Sequence, residues 1–124
     1  MMRYLAVAAF GALGAVARYA VDGAVSRATA GQFPWGTLVV NIAGSFALGA
    51  LVELTTNRMV LPAEWRIALG IGFLGAFTTF STFTYETLRM LESGAVGEAL
   101  LNVALSLALG LLAAALGVGV GRVV

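Results

Sequence analysis

Residues 72–86 read Gly-Phe-Leu-Gly-Ala-Phe-Thr-Thr-Phe-Ser-Thr-Phe-Thr-Tyr-Glu. A hydroxyl run interleaved with phenylalanines, preceded by a glycine at Gly75, stands inside a segment long enough to cross a membrane. A span needs only apolar side chains to be stable. Polar groups at bilayer depth are tolerated where protein buries them or where they line a wet path. An ion or solute pathway is the first expectation.

Working outward, the chain is 60% hydrophobic and 10% charged over 124 residues, more apolar and less charged than soluble domains. Uncharged stretches cover residues 4–17, 28–52, 67–85 and 99–121. At about 1.5 Å per residue, roughly 20 residues cross a hydrocarbon core of about 30 Å. An all-α membrane protein follows, one domain over residues 1–124, with four transmembrane helices near 3–25, 35–57, 64–90 and 97–122. The start of the chain resembles a signal peptide, with Arg3 before an apolar run. The run continues as Gly/Ala-rich helix to Tyr19, so a retained span is expected. Without Cys or His, thiolate metal sites, Ser-His triads and imidazole ligation are excluded, and no enzyme activity is expected.

All seven basic residues are Arg. In a four-span chain Arg3, Arg58, Arg66 and Arg122 share one side, and Arg18, Arg27 and Arg89 the other. Orientation normally follows an excess of such charges on the cytoplasmic side. Here the excess nearly vanishes, and charge alone leaves one-sided and dual insertion both open. Small residues on each span (Gly11 and Gly14; Gly44 and Ser45; Gly70 and Gly75; Gly110, Gly117 and Gly121) offer close-packing surfaces, and a dimer is expected. Gly117 and Gly121 read as ordinary packing. The echo between residues 11–16 and 72–77 reads as shared packing chemistry.

Thr37, Asn41 and Ser45 follow an i, i+4, i+8 spacing and stack on one helix face. They serve equally well as interhelical glue or as a path lining. Thr78, Thr82 and Glu86 form a second stripe, with Ser81 and Tyr85 beside it and Phe80 and Phe83 on a neighbouring face. Cation paths show carboxylate rings or carbonyl ladders, whereas anion paths show cationic or neutral donors. No Asp or Glu lies between Ile67 and Tyr85. Hydroxyls, an amide and phenyl ring edges, which carry partial positive charge, suit a small anion. The stretch 75–79 is a weak point for helix continuity, because glycine and β-branched threonines are poor helix formers. Carbonyls freed by unwinding there would need a partner, a cation among the candidates.

These residues carry a resemblance. Residues 11–19 (Gly-Ala-Leu-Gly-Ala-Val-Ala-Arg-Tyr), 36–46 (Gly-Thr-Leu-Val-Val-Asn-Ile-Ala-Gly-Ser-Phe) and 72–86 occur in the order found in the Fluc (CrcB) fluoride channels, which the chain resembles over nearly its full length. The resemblance implies an antiparallel, dual-topology homodimer in the inner membrane. It has two fluoride pores, each drawing on both subunits, and a break in the third helix. It implies pore-lining rings at Phe80 and Phe83, an amide donor at Asn41, and Ser81, Thr82, Thr37 and Ser106 along the polar track. Arg18 would stand near a vestibule, with interfacial snorkelling left open, and Glu86 near a pore end. Carbonyls of Gly75 and Thr78 from both subunits would hold a structural sodium ion. Asn102 stands where some relatives place tyrosine, a departure that bears on one end of the path. The function implied is passive fluoride export that relieves fluoride toxicity, with fluoride and membrane lipid as partners. The alternative is a dual-topology proton antiporter of the small multidrug resistance type. That class needs a membrane-embedded carboxylate in the first span, and none lies between Arg3 and Arg18.

Overall fold

Four helical spans account for nearly the whole chain, and the third is interrupted. The computed structural model describes residues 1–124. Helix α1 is Met2–Ala28, α2 is Trp35–Asn57, and α5 is Val96–Val123. The third span consists of α3, residues 63–77, and α4, Phe80–Glu92, separated by Thr78 and Thr79. All four spans are long and apolar enough to cross a membrane. They extend one or more residues beyond the expected bounds at most ends, because apolar helix continues past the uncharged stretches into Arg- and Glu-bearing turns.

Glycines set the helix contacts, as expected where helices associate by close approach and not by expelling water. Gly14 lies directly on the Phe73 carbonyl, and a Cβ on Gly72 would meet Phe10 Cβ at 3.0 Å and the Val7 carbonyl at 3.1 Å. The two segments that echo one another in sequence therefore pack against each other. On the other side of α2, Gly49 rests on the Ala114 carbonyl and Gly117 on the Phe46 carbonyl. A Cβ on Gly121 would meet Glu53 Cβ at 2.8 Å. The Gly117/Gly121 pair is thus consumed inside the chain, in the α2–α5 contact.

Two stretches are wound wide, with i→i+5 hydrogen bonding: Glu53–Asn57 at the end of α2 and Arg66–Leu74 within α3. Such winding is uncommon and clusters at functional positions. The second stretch leads directly into the break. The first carries Glu53, which is only 5% exposed. Its carboxylate accepts a 2.7 Å hydrogen bond from Asn57 Nδ2 and faces Arg122 Nε at 3.6 Å. This ties the ends of α2 and α5.

The turn from α4 into α5 depends on Gly94, whose φ is 84°. Ala95 N–H donates to the Met90 carbonyl at 2.8 Å and Gly94 N–H to the Leu91 carbonyl at 3.1 Å. That pairing closes the last turn of α4 and needs a left-handed residue at this position. The buried core is small, with Val40, Leu51, Leu74 and Phe77 at its centre. Large apolar residues such as Leu100, Leu107 and Leu111 remain exposed on α5, the arrangement of a chain whose outer solvent is lipid.

Candidate functional site

The break defines the site. Gly75 keeps ordinary helical geometry (φ −62°, ψ −35°), so the glycine is not where the helix stops. Instead Thr78 (φ −82°, ψ 159°) and Thr79 (φ −151°, ψ 122°) are extended, the conformation that β-branched residues favour. Asn41 on α2 stabilises this conformation from outside. Its Nδ2 donates to the Thr79 carbonyl at 3.0 Å, and its Oδ1 accepts from the Thr79 N–H at 2.8 Å. One side-chain amide thus replaces both helical bonds of one residue. Gly44, one turn along α2, leaves room for the Thr78 methyl group. A side chain at Gly44 would push the break off the helix.

Thr79 also starts α4. Its Oγ1 accepts from the Thr82 N–H at 3.2 Å and donates to Thr82 Oγ1 at 3.1 Å, an N-cap. These exchanges leave two carbonyls behind. The Thr79 N–H that a continuous helix would give to Gly75 goes to Asn41. The Thr82 N–H that would go to Thr78 goes to Thr79 Oγ1.

The expected site residues other than Ser81 border three spaces. Phe80, Phe83, Asn41 and Ser106 line an open groove of about 340 Å³, together with Ser45, Gly75, Thr78 and Thr79. The rings of Phe80 and Phe83 are 5.9 Å apart at their centroids, tilted by 49°. Phe80 is 77% exposed, so the groove is open along the side where this ring stands. Its lining contains no charged residue. Arg18, Thr37 and Thr82 line a second space of about 300 Å³ with Tyr19, Asp22 and Thr79. Thr37 Oγ1 donates to Glu86 Oε1 at 2.9 Å, joining α2 to α4. Glu86 in turn borders a third space, of about 270 Å³, with Gln32 and Arg89. Ser81 lies on the exposed side of α4, 3.4 Å from Thr79 Oγ1.

The stripe expected through Thr78, Thr82 and Glu86 does not exist as one face. The break separates Thr78 from the other two, and its hydroxyl bonds back to the Leu74 carbonyl at 2.9 Å. Thr37, Asn41 and Ser45 do share a face of α2, but each acts differently. Thr37 reaches Glu86, Asn41 reaches Thr79, and Ser45 Oγ donates to the Asn41 carbonyl at 2.7 Å. Asn102 is 1% exposed and does not line the groove; its Nδ2 donates to Thr87 Oγ1 at 2.9 Å. Thr79 is the residue that sequence reasoning missed. Its place in the hydroxyl run was visible, but the amide that pairs with its backbone lies 38 residues away.

A broken third span, held by an asparagine from the second and flanked by two rings over an uncharged groove, is a specific arrangement. The family described as CrcB-like protein, Camphor Resistance (CrcB), matches residues 5–118. The chain belongs to this family. Among curated CrcB relatives, a protein of Geobacter sulfurreducens is 50% identical over 109 residues, covering 88% of each chain. One from Acidobacterium capsulatum is 48% identical over 121 residues, covering 98% of this chain and 97% of the relative. One from Magnetococcus marinus is 50% identical over 118 residues, covering 95% and 96%. Each of the three carries the name fluoride-specific ion channel FluC.

Proposed function

We propose that this CrcB-family chain is a fluoride-selective channel of the cell inner membrane, passing fluoride down its electrochemical gradient and not acting as an enzyme. The observation that carries the reading is the neutral groove beside the break, where Phe80 and Phe83 stand with Asn41 and Ser106. Fluoride is small and a strong hydrogen-bond acceptor, so leaving water requires close donors. A fixed cation would hold it too tightly for conduction, and a carboxylate would repel it. Hydroxyl and amide donors with positive ring edges supply intermediate attraction at successive points. Asn41 has committed one amide hydrogen to Thr79; the second remains for an anion in the groove. Fluoride enters cells as the neutral acid and ionises inside, so a passive path for the anion is enough to expel it.

The working unit in this reading is an antiparallel homodimer. Support comes from the groove's open side and the high exposure of Phe80, which a second copy would cover. The near balance of arginines between the two sides permits opposite insertion. Arg18, which has no carboxylate partner within ion-pairing distance, would draw anions to the second space, and Thr37, Thr82 and Glu86 would continue the polar track towards one end.

A structural sodium ion at the centre of that dimer is part of the same proposal. The donor set fits: the Gly75 and Thr78 carbonyls have each lost the amide a continuous helix would supply. Hard monovalent and divalent cations take such oxygen ligands. Two copies would bring two pairs of carbonyls together, and the ion would supply positive charge beside the anion path.

The test is efflux of fluoride and of chloride from liposomes holding the purified protein, with Phe80→Ile as control. Fluoride flux without chloride flux, abolished by Phe80→Ile, is expected. Equal passage of chloride, or no fluoride flux at all, would sink the reading.

A further inference from the structure

We infer that Asn102 and Thr87 are positioning residues that hold Phe83 and Ser106 in register across the groove while standing outside it themselves. The inference rests on the reading that Phe83 lines the fluoride path. Asn102 is 1% exposed and buried between α4 and α5. Its Nδ2 donates to Thr87 Oγ1 at 2.9 Å, and Thr87 Oγ1 donates to the Phe83 carbonyl at 2.7 Å. A continuous relay therefore runs from the interior of α5 to the backbone of the ring-bearing residue.

Nothing else polar fixes these two helices side to side. The Asn102–Thr87 bond is the one side-chain hydrogen bond between α4 and α5. Around it α5 is leucine and alanine, and apolar contacts inside lipid resist sliding only weakly. Ser106 lies one turn beyond Asn102 and does line the groove, as Phe83 does. Pinning Asn102 to Thr87 consequently sets the separation of Phe83 from Ser106. A threonine hydroxyl bonded to the carbonyl four residues back also bends its helix locally, which orients the Phe83 turn. Buried amide–hydroxyl pairs of this kind give direction where dispersion contacts give none.

The experiment records unitary currents in planar bilayers with fluoride, then chloride, as the permeant anion, beside melting temperatures of the same preparations. Asn102→Leu and Thr87→Val each should lower the unitary fluoride current by about fivefold, and the double variant should be no worse than either single one. Thr87→Ser, which keeps the hydroxyl, should conduct as the parent does. A role limited to stability would lower melting temperature and the number of channels while leaving unitary current unchanged, and that result overturns the inference. Thr87→Val preserves shape and carries the test if Asn102→Leu does not fold; loss of both to misfolding counts against positioning. Phe83→Ile separates the two levels. If it conducts normally, the path reading fails and this inference with it. If it blocks conduction while the Asn102 and Thr87 variants are normal, only this inference fails.

Discussion

Replacing Asn41 with leucine should cost stability as well as conduction, because the amide is the splint of the broken helix. Both of its polar atoms are used, at 3.0 Å and 2.8 Å, on the C=O and N–H of Thr79. Side-chain hydrogen bonds inside membranes average about 0.6 kcal/mol, with a maximum near 1.7 kcal/mol. Removing two of them also orphans a half-buried backbone donor and acceptor, at up to about 1–3 kcal/mol per group before rearrangement. A loss of about 2–4 kcal/mol is expected for Asn41→Leu. Asn41→Asp keeps an acceptor for the Thr79 N–H but loses the donor to its carbonyl and sets a carboxylate at bilayer depth, so a loss at least as large as that of Asn41→Leu is expected. Ser45→Ala serves as control: its hydroxyl bonds only to a carbonyl of its own helix, and a change within about 0.5 kcal/mol is expected. Thermal unfolding in detergent gives the ranking, and fluoride efflux from liposomes gives the functional loss. A melting temperature equal to the parent's in Asn41→Leu, with flux abolished, would refute the splint and leave Asn41 as a pore donor alone.

Gly44→Ala places a Cβ against the Thr78 methyl and should destabilise by about 1–3 kcal/mol. Adding Thr78→Ser, which removes that methyl, should recover most of the loss, and a double-mutant cycle on melting temperature measures the recovery. If the carbonyls of Gly75 and Thr78 hold sodium in the dimer, melting temperature should rise with sodium concentration at constant ionic strength, by the usual ligand linkage; N-methylglucamine in place of sodium should lower it, and an identical melt in both salts contradicts the site. Gly94→Ala forces a Cβ into the left-handed region at φ 84° and should cost about 1 kcal/mol. Its fluoride-to-chloride flux ratio should match the parent's, since Gly94 lies in the α4–α5 turn away from the groove.

The location of the break shows how far local reading reaches. Gly75 is the residue that intrinsic propensity singles out, yet it stays helical while Thr78 and Thr79 extend. Propensity differences of under about 1 kcal/mol per residue cannot choose between adjacent turns. Two hydrogen bonds from Asn41 and the space above Gly44 can. The polar stripe on α2 was legible as a stripe, because its spacing is a property of one helix. The stripe on the third span was not, because a two-residue extension resets the helical phase between Thr78 and Thr82. The Glu53–Arg122 pair had no local signal, since its two members lie far apart along the chain.

By itself the sequence determined that this is a four-span, all-helical membrane chain with hydroxyls, an amide and phenylalanines at bilayer depth, and its ordered motifs pointed to the CrcB family. Those conclusions follow from composition, helical period and short motifs, which need no neighbour in space. Only the tertiary structure decided where the third span breaks, which carbonyls lose their amides, and which polar residues share a groove. Each of these is settled by a contact between helices distant in the chain. In lipid such contacts depend on individual hydrogen bonds and glycine-sized gaps, and the apolar pattern of the sequence does not record them.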